Sequence, residues 1–191
     1  DLGGVFFDWN PEYFFKNKFK SKQEMKFFLK KVCNNRWNLK QDAGRKIADA
    51  EKELIMKFPE YSNEIKMYYP NNHNMILKVF LESVNVLEML LKKNYSCYVL
   101  SNWSAETFLG MKEKYPFLTK FDGMIISGKV KLIKPDKEIY KLAITRFNLI
   151  PEKTVFIDDK LENIISAKKL NFQTIHLKNA ANIMKNIKKF I

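Results

Sequence analysis

Beyond Lys93 the chain alternates between two periodicities, and that alternation limits the folds open to it more than any other feature. Short apolar runs at 95–100, 124–127, 154–157 and 174–177 read as strands, with helical patterns at 105–114, 137–147 and 161–170 between them. Strands separated by helices pair in parallel through right-handed crossovers, so this half predicts an α/β fold built on a Rossmann-like parallel sheet. In such sheets ligands gather at the carboxyl ends of the strands. The final residues, 180–191, predict a basic amphipathic helix with Ile183, Ile187 and Phe190 on its apolar side, packed on the sheet rather than anchored in a membrane.

Residues 12–74 have another texture. Ser21 and Glu24 have the spacing of a capping box ahead of an apolar stripe, Met25, Phe28, Leu29 and Val32. A second stripe, Ile47, Ala50, Leu54, Ile55 and Phe58, stops at Pro59. A third helical pattern begins near Met75 and runs through Val79, Phe80, Val84, Leu87, Leu90 and Leu91. The expected organisation is an α/β core of residues 1–11 and 75–191, with an α-helical unit, 12–74, inserted between them.

A chain of 191 residues that is 46% hydrophobic can bury a substantial core. No apolar run approaches the roughly 20 residues of a membrane-spanning helix, and residues 1–11 do not read as a signal peptide. Cys33 and Cys97 are far apart and in no CxxC spacing, so Cys97, inside YSCYVL, reads as a small buried hydrophobe in a reducing cytoplasm. The net charge of +13 comes from lysines scattered along the whole length, without a basic arm or an arginine cluster, which argues against a nucleic-acid partner. A positive field still helps to draw in a small phosphorylated substrate. Monomer and homodimer are both compatible with this composition.

The residues just past each strand-like run carry the chemistry. Ser101-Asn102 comes after YSCYVL, Asp158-Asp159 comes after TVFI, and Lys134-Pro135 lies between them in VKLIKPD. Singly, each has a plain structural reading: a turn or helix N-cap, a helix start, and a carboxylate pair complementing a helix dipole. Together, in this order, they put a hydroxyl, an ammonium and two carboxylates on one rim. Phosphoryl transfer through an aspartyl-phosphate needs that set, because cations must offset the repulsion between an attacking carboxylate and an anionic phosphate. Adjacent ionised aspartates also need a cation, and Mg²⁺ favours oxygen ligands. Either Asp1 or Asp8 in the opening DLGGVFFDWNP is a candidate nucleophile.

The stretches DLGGVFFDWNPEYFF, VLSNWSAETF, IKPDKEIY and VFIDDKLENIISAKKLNF resemble the four motifs of the haloacid dehalogenase superfamily, in its phosphatase-like branch with a helical cap inserted after the first motif. CNNRWNLKQDAGRKIA resembles the cap of that branch. The resemblance implies an Mg²⁺-dependent phosphatase acting on a small phosphate ester, such as a sugar phosphate. It implies Asp1 as nucleophile, with Asp1, the Gly3 carbonyl, Asp158 and Asp159 holding the metal. Ser101 and Lys134 bind the phosphoryl group, Asn102 orients the substrate or the flap, and Asp8 marks the entrance to the cap. Trp37, Asn38, Gln41, Asp42 and Arg45 are candidate cap contacts, although Trp37 fits ordinary helix packing equally well. In the other alignment Val5–Phe7 is the first strand and Asp8 attacks.

Two departures matter. The family pattern places an apolar strand upstream of the nucleophile, so such a segment is expected before Asp1. Most family phosphatases also carry an acid/base aspartate two residues after the nucleophile, where this chain has Gly3. Protonation of the leaving group is therefore unassigned. A 2-haloacid dehalogenase, which needs neither metal nor acid, and a binding protein that has lost turnover are the alternatives.

Overall fold

The computed structural model describes residues 1–191. Strand β1 (Phe7–Trp9) leads out of the α/β part and β2 (Ile76–Val79) leads back, paired antiparallel with Phe7 opposite Val79 and Asp8 opposite Lys78. Between them lie α1 (Pro11–Phe15), α2 (Lys22–Phe27), α3 (Asn35–Asp42), α4 (Ile47–Lys57) and α5 (Ser62–Tyr68). Their starts follow from local chemistry. The Asn10, Ser21 and Asn34 side chains each accept a backbone N–H of the first turn they precede, and Pro11 opens α1. This helical unit has its own core, with Phe15, Phe28, Val32, Ala50, Ile65 and Tyr68 almost wholly buried.

The rest of the α/β part comes next: α6 (Leu81–Lys92), β3 (Tyr98–Ser101), α7 (Met111–Lys114), β4 (Gly123–Ile126) and α8 (Ser127–Val130). It continues with α9 (Lys137–Phe147), β5 (Val155–Asp158), α10 (Leu161–Lys168), β6 (Gln173–His176) and α11 (Ile183–Ile187). Strand β3 pairs in parallel with β4, and β5 with β6. Period-two alternation sends Val99 and Ile126 into one apolar cluster and Leu100 and Ile125 into another, so both faces are covered. The two parallel pairs are not hydrogen-bonded to each other, and an apolar groove of about 490 Å³ runs between them, with Leu100 and Ile157 among its walls. The backbone nitrogen of Asp1 donates to the Ile157 carbonyl at 3.0 Å, which sets residue 1 against the edge of β5.

Four elements differ from the sequence reading. Residues 76–79, which read as the start of a helix, form β2, because four residues are too few to show a decisive period and pairing with β1 settles it. Residues 105–110 make turns that end at Gly110, left-handed at φ 73°, so only α7 is helical there. Ser127, expected to close a strand, opens α8. The C-terminal stretch is α11 flanked by short 3₁₀ turns rather than one continuous helix, with Ile183 and Ile187 buried.

Candidate active site

Ser101 is the last residue of β3 and Asp158 the last of β5, so the parallel arrangement puts both at carboxyl ends of strands. Asp1 lies between them. Its Oδ1 accepts the Leu2 N–H and the Ser101 hydroxyl, each at 2.7 Å, and forms an ion pair with the Lys134 ammonium at 2.9 Å. Its Oδ2 accepts no hydrogen bond from the protein. Lys134, only 2% exposed, donates to Asp158 Oδ2 at 2.6 Å and to the Leu100 carbonyl at 3.0 Å. Asp158 Oδ1 accepts the Lys160 N–H and the Asn163 amide, each at 2.9 Å.

Asp159 is different. Its Oδ1 is buried without any hydrogen-bond partner. Gly4, left-handed at φ 69°, lets the chain pass so close that a Cβ there would lie 2.5 Å from Asp159 Cγ. Burial and the neighbouring Asp158 charge push the Asp159 carboxyl above its ordinary pKa. Burial acts to raise Asp158 too, but Lys134 and the Lys160 N–H outweigh it and hold Asp158 low. Desolvation pulls the Lys134 ammonium below its ordinary value, while Asp158 and Asp159 act to keep its proton. One carboxylate oxygen from each of Asp1, Asp158 and Asp159 falls within 4.8 Å of the others. A single lysine does not balance three carboxylates.

The cluster opens into a cavity of about 360 Å³, in which only three of sixteen lining residues are hydrophobic. Asp1, Gly3, Lys134, Asp159 and Lys160 form one wall, and Asn35, Asn38, Asp42, Tyr69 and Asn72 of the helical unit face it. Asn102, Trp103, Thr107 and Asn163 complete the lining together with Trp9. Carboxamides and a phenol on that far wall suit a ligand bearing hydroxyls.

Of the residues singled out in the sequence, Asp1, Gly3, Asn102, Lys134, Asp159, Asn38 and Asp42 reach this cavity. Asp158 sits just behind it. Others do not face it as expected. Trp37 and Gln41, expected as substrate contacts, lie inside the helical unit: Trp37 packs on Tyr68 and Tyr69, and Gln41 donates to the Trp37 carbonyl and the Tyr69 hydroxyl. Their positions one turn apart on α3 turn both inward. Ser101 is fully buried and holds Asp1 rather than lining the cavity. Arg45 pairs with Glu53. Asp8 accepts the Tyr13 hydroxyl at 2.8 Å, away from the carboxylate cluster. Lys160, Asn163, Asn35, Tyr69, Asn72, Trp9 and Thr107 line the cavity without having been singled out. Only Asn163 left a legible signal, one turn into the helix that follows Asp158-Asp159.

Residues 13–177 match the family model of the haloacid dehalogenase-like hydrolases. The chain belongs to this family. Among curated relatives of these hydrolases, a sesquiterpene phosphatase of Aspergillus oryzae is 24% identical over 177 residues, 93% of this chain and 87% of that protein. A phosphorylated carbohydrates phosphatase of Thermotoga maritima is 23% identical over 92% of this chain and 82% of its own length. A family enzyme of Bacteroides thetaiotaomicron, solved with magnesium and inorganic phosphate, superimposes with a TM-score of 0.69 at 24% identity, covering 92% of this chain and 90% of that one. A predicted HAD-like hydrolase of Porphyromonas gingivalis gives a TM-score of 0.75 at 24% identity over 99% and 94%.

The family implies a divalent metal, and the residues present fit one. The unpartnered Asp159 Oδ1 lies in a cluster of hard oxygen donors that one lysine does not neutralise. The Gly3 carbonyl accepts no backbone hydrogen bond and borders the same cavity, so it could complete the set.

Proposed function

We propose that this hydrolase is an Mg²⁺-dependent phosphatase of small phosphate esters whose alcohol part carries hydroxyl groups, such as sugar or polyol phosphates. The observation that carries the reading is the convergence of Asp1, Asp158 and Asp159 around the buried Lys134. Asp1, Asp158, Asp159 and the Gly3 carbonyl would hold the metal, which when bound supplies positive charge beside the phosphoryl oxygens.

The chain supplies the rest. Oδ1 of Asp1 is held by two hydrogen bonds and the Lys134 ion pair, which leaves Oδ2, without a protein donor, as the attacking atom. An incoming phosphoryl group competes for the Ser101 hydroxyl and the Lys134 ammonium, so the donors that orient the nucleophile also stabilise charge on the group it attacks. Attack gives an aspartyl-phosphate on Asp1, which water then hydrolyses. The helical unit acts as a cap over the cavity: Asn35, Asn38, Tyr69 and Asn72 read the alcohol, and closure keeps bulk water from the labile intermediate. The relative that acts on phosphorylated carbohydrates supports this substrate class. Both cysteines are free thiols, in keeping with a cytoplasmic enzyme.

Dehalogenation of a 2-halo acid would give no role to the orphaned Asp159 oxygen, so it ranks second. A panel of phosphate esters with Mg²⁺ and with chelator tests the proposal, with 2-chloropropionate as control. Phosphate release that chelation abolishes is the expected result. Phosphate release untouched by chelator, or chloride release instead, overturns it.

A further inference from the structure

Position 3 carries no side chain, so nothing on the nucleophile's own loop can protonate the departing alcohol. An acid must come from elsewhere in the cavity lining. Asp1 and Asp159 belong to the cation cluster, and Asp42 is the one further carboxyl group that lines the cavity. We propose that Asp42, at the C-terminal end of α3, is the proton donor to the leaving oxygen. The assignment rests on the phosphatase reading and extends it.

Asp42 is only 8% exposed and takes part in no salt bridge, yet it borders the same cavity as the nucleophile. A one-way chain of donors fixes its orientation. Gln41 Nε2 donates to the Tyr69 hydroxyl at 2.8 Å, and that hydroxyl donates to Asn38 Oδ1 at 3.0 Å. The Asn38 amide nitrogen must therefore face Asp42, and it donates to Asp42 Oδ2 at 3.2 Å. With Oδ2 accepting this amide, we place the acid proton on Oδ1. The main chain is pinned as well, because Ser127 Oγ donates to the Asp42 carbonyl at 2.6 Å and joins α3 to the α/β part.

The surroundings favour the neutral acid. Burial pushes Asp42 up to about 7, with Lys160 and the Ser104 backbone N–H pulling only weakly the other way. Tyr68 and Tyr69 stand behind it, both kept neutral by burial. Across the cavity Lys134 is engaged by Asp1 and Asp158, so it does not pair with Asp42. An uncompensated buried carboxyl group costs stability, and such costs are concentrated where function requires them.

The chemistry balances. As the bond from Asp1 Oδ2 to phosphorus forms and the ester P–O bond breaks, the electron pair goes to the ester oxygen, which takes the Asp42 proton and leaves as alcohol. The Asp42 carboxylate then removes a proton from the water that attacks phosphorus. The Asp1–phosphorus bond breaks, inorganic phosphate departs, and Asp42 is again an acid.

The test compares wild type with Asp42→Asn on two esters in Mg²⁺: a polyol phosphate, whose alkoxide leaving group needs a proton, and 2,4-dinitrophenyl phosphate, whose leaving group does not. The expected result is a kcat/KM loss of about 100-fold or more on the polyol phosphate and only about threefold on the aryl ester, the range typical of general-acid catalysis, because kcat/KM reads the steps through departure of the alcohol and not the later attack of water that both esters share. Equal losses on both, or no loss, overturn the assignment while leaving the phosphatase reading intact. A wild type that hydrolyses neither ester overturns the phosphatase reading itself. Independently of turnover, the carboxyl ¹³C resonance of Asp42 in the resting wild-type protein titrates near neutrality if the proposal holds. A carboxylate ionised throughout pH 5–8 overturns it.

Discussion

Asn102 grips Lys134 by its main chain: its Nδ2 donates to the Lys134 carbonyl at 2.9 Å and its Oδ1 accepts the Lys134 N–H at 2.8 Å. The pair ties the turn after β3 to the loop before α9, and it fixes the base of the side chain that bridges Asp1 and Asp158. The Ser-Asn, which on its own reads as a simple N-cap, thus works through the lysine of a different segment. Asn102→Ala is expected to lower kcat about tenfold or more while the fold persists, because small misplacements of a catalytic charge are costly. Steady-state kinetics beside a thermal melt reads both, and full activity in the variant would count against this role.

Removing a carboxylate from the cluster should trade metal affinity for stability. Burial and Asp158 hold the Asp159 carboxyl high, so the folded state retains its proton where the unfolded state has lost it. Stability without metal therefore falls as pH rises above the ordinary aspartate pKa. Asp159→Asn is expected to raise the metal-free Tm at pH 8 but not at pH 4, and to weaken Mg²⁺ binding measured by calorimetry. Unchanged Mg²⁺ affinity would remove Asp159 from the metal site.

The two glycines of the first turn should respond in opposite ways. A Cβ at Gly3 meets nothing within 4 Å, so Gly3→Asp fits and adds an acid beside Asp1, the proposed nucleophile. It is expected to raise kcat on poor leaving groups about tenfold or more. Gly4→Ala would strain a left-handed backbone and force a methyl into Asp159, costing about 1–2 kcal/mol from the backbone alone and most of the metal affinity. Assays with alkyl phosphates and a denaturant melt separate the two outcomes.

Asp42 gives a pH dependence of stability with a definite sign. Its folded pKa is about 7 against an ordinary value of 3.8, so between these values the folded state holds a proton that the unfolded chain has released. Stability falls across that window as pH rises, and the penalty is complete above it. Asp42→Asn is therefore expected to stabilise at pH 8 by up to about 4 kcal/mol and to have little effect near pH 4. Urea melts of both proteins at the two pH values check it.

Much of the site could be read from the sequence because strand ends are local features. An apolar run followed by Ser101-Asn102 or Asp158-Asp159 marks the rim of a parallel sheet wherever the strands later pair. Lys134 was legible from its order in the chain. Side-chain direction was not. Trp37 and Gln41 share α3 with Asn38 and Asp42, and only packing against Tyr68 and Tyr69 determines which face of so short a helix turns inward. The Ser101 hydroxyl carried the right chemistry but points at Asp1, which depends on where residue 1 lies against β5. Strand β2 is not legible locally because its pairing partner, Phe7–Trp9, lies on the far side of the inserted helices in the chain.

The Ser127 hydroxyl has a consequence for timing. It donates to the Asp42 carbonyl and accepts the Trp103 N–H at 2.9 Å, so one small side chain is shared between the helical unit and the rim of the candidate site. Under the proposed cap role, swinging the helical unit away would unfasten this clasp, which would make the rate of substrate entry adjustable at a position remote from bond breaking. Evolution could therefore change how quickly the enzyme opens without altering what it does once shut.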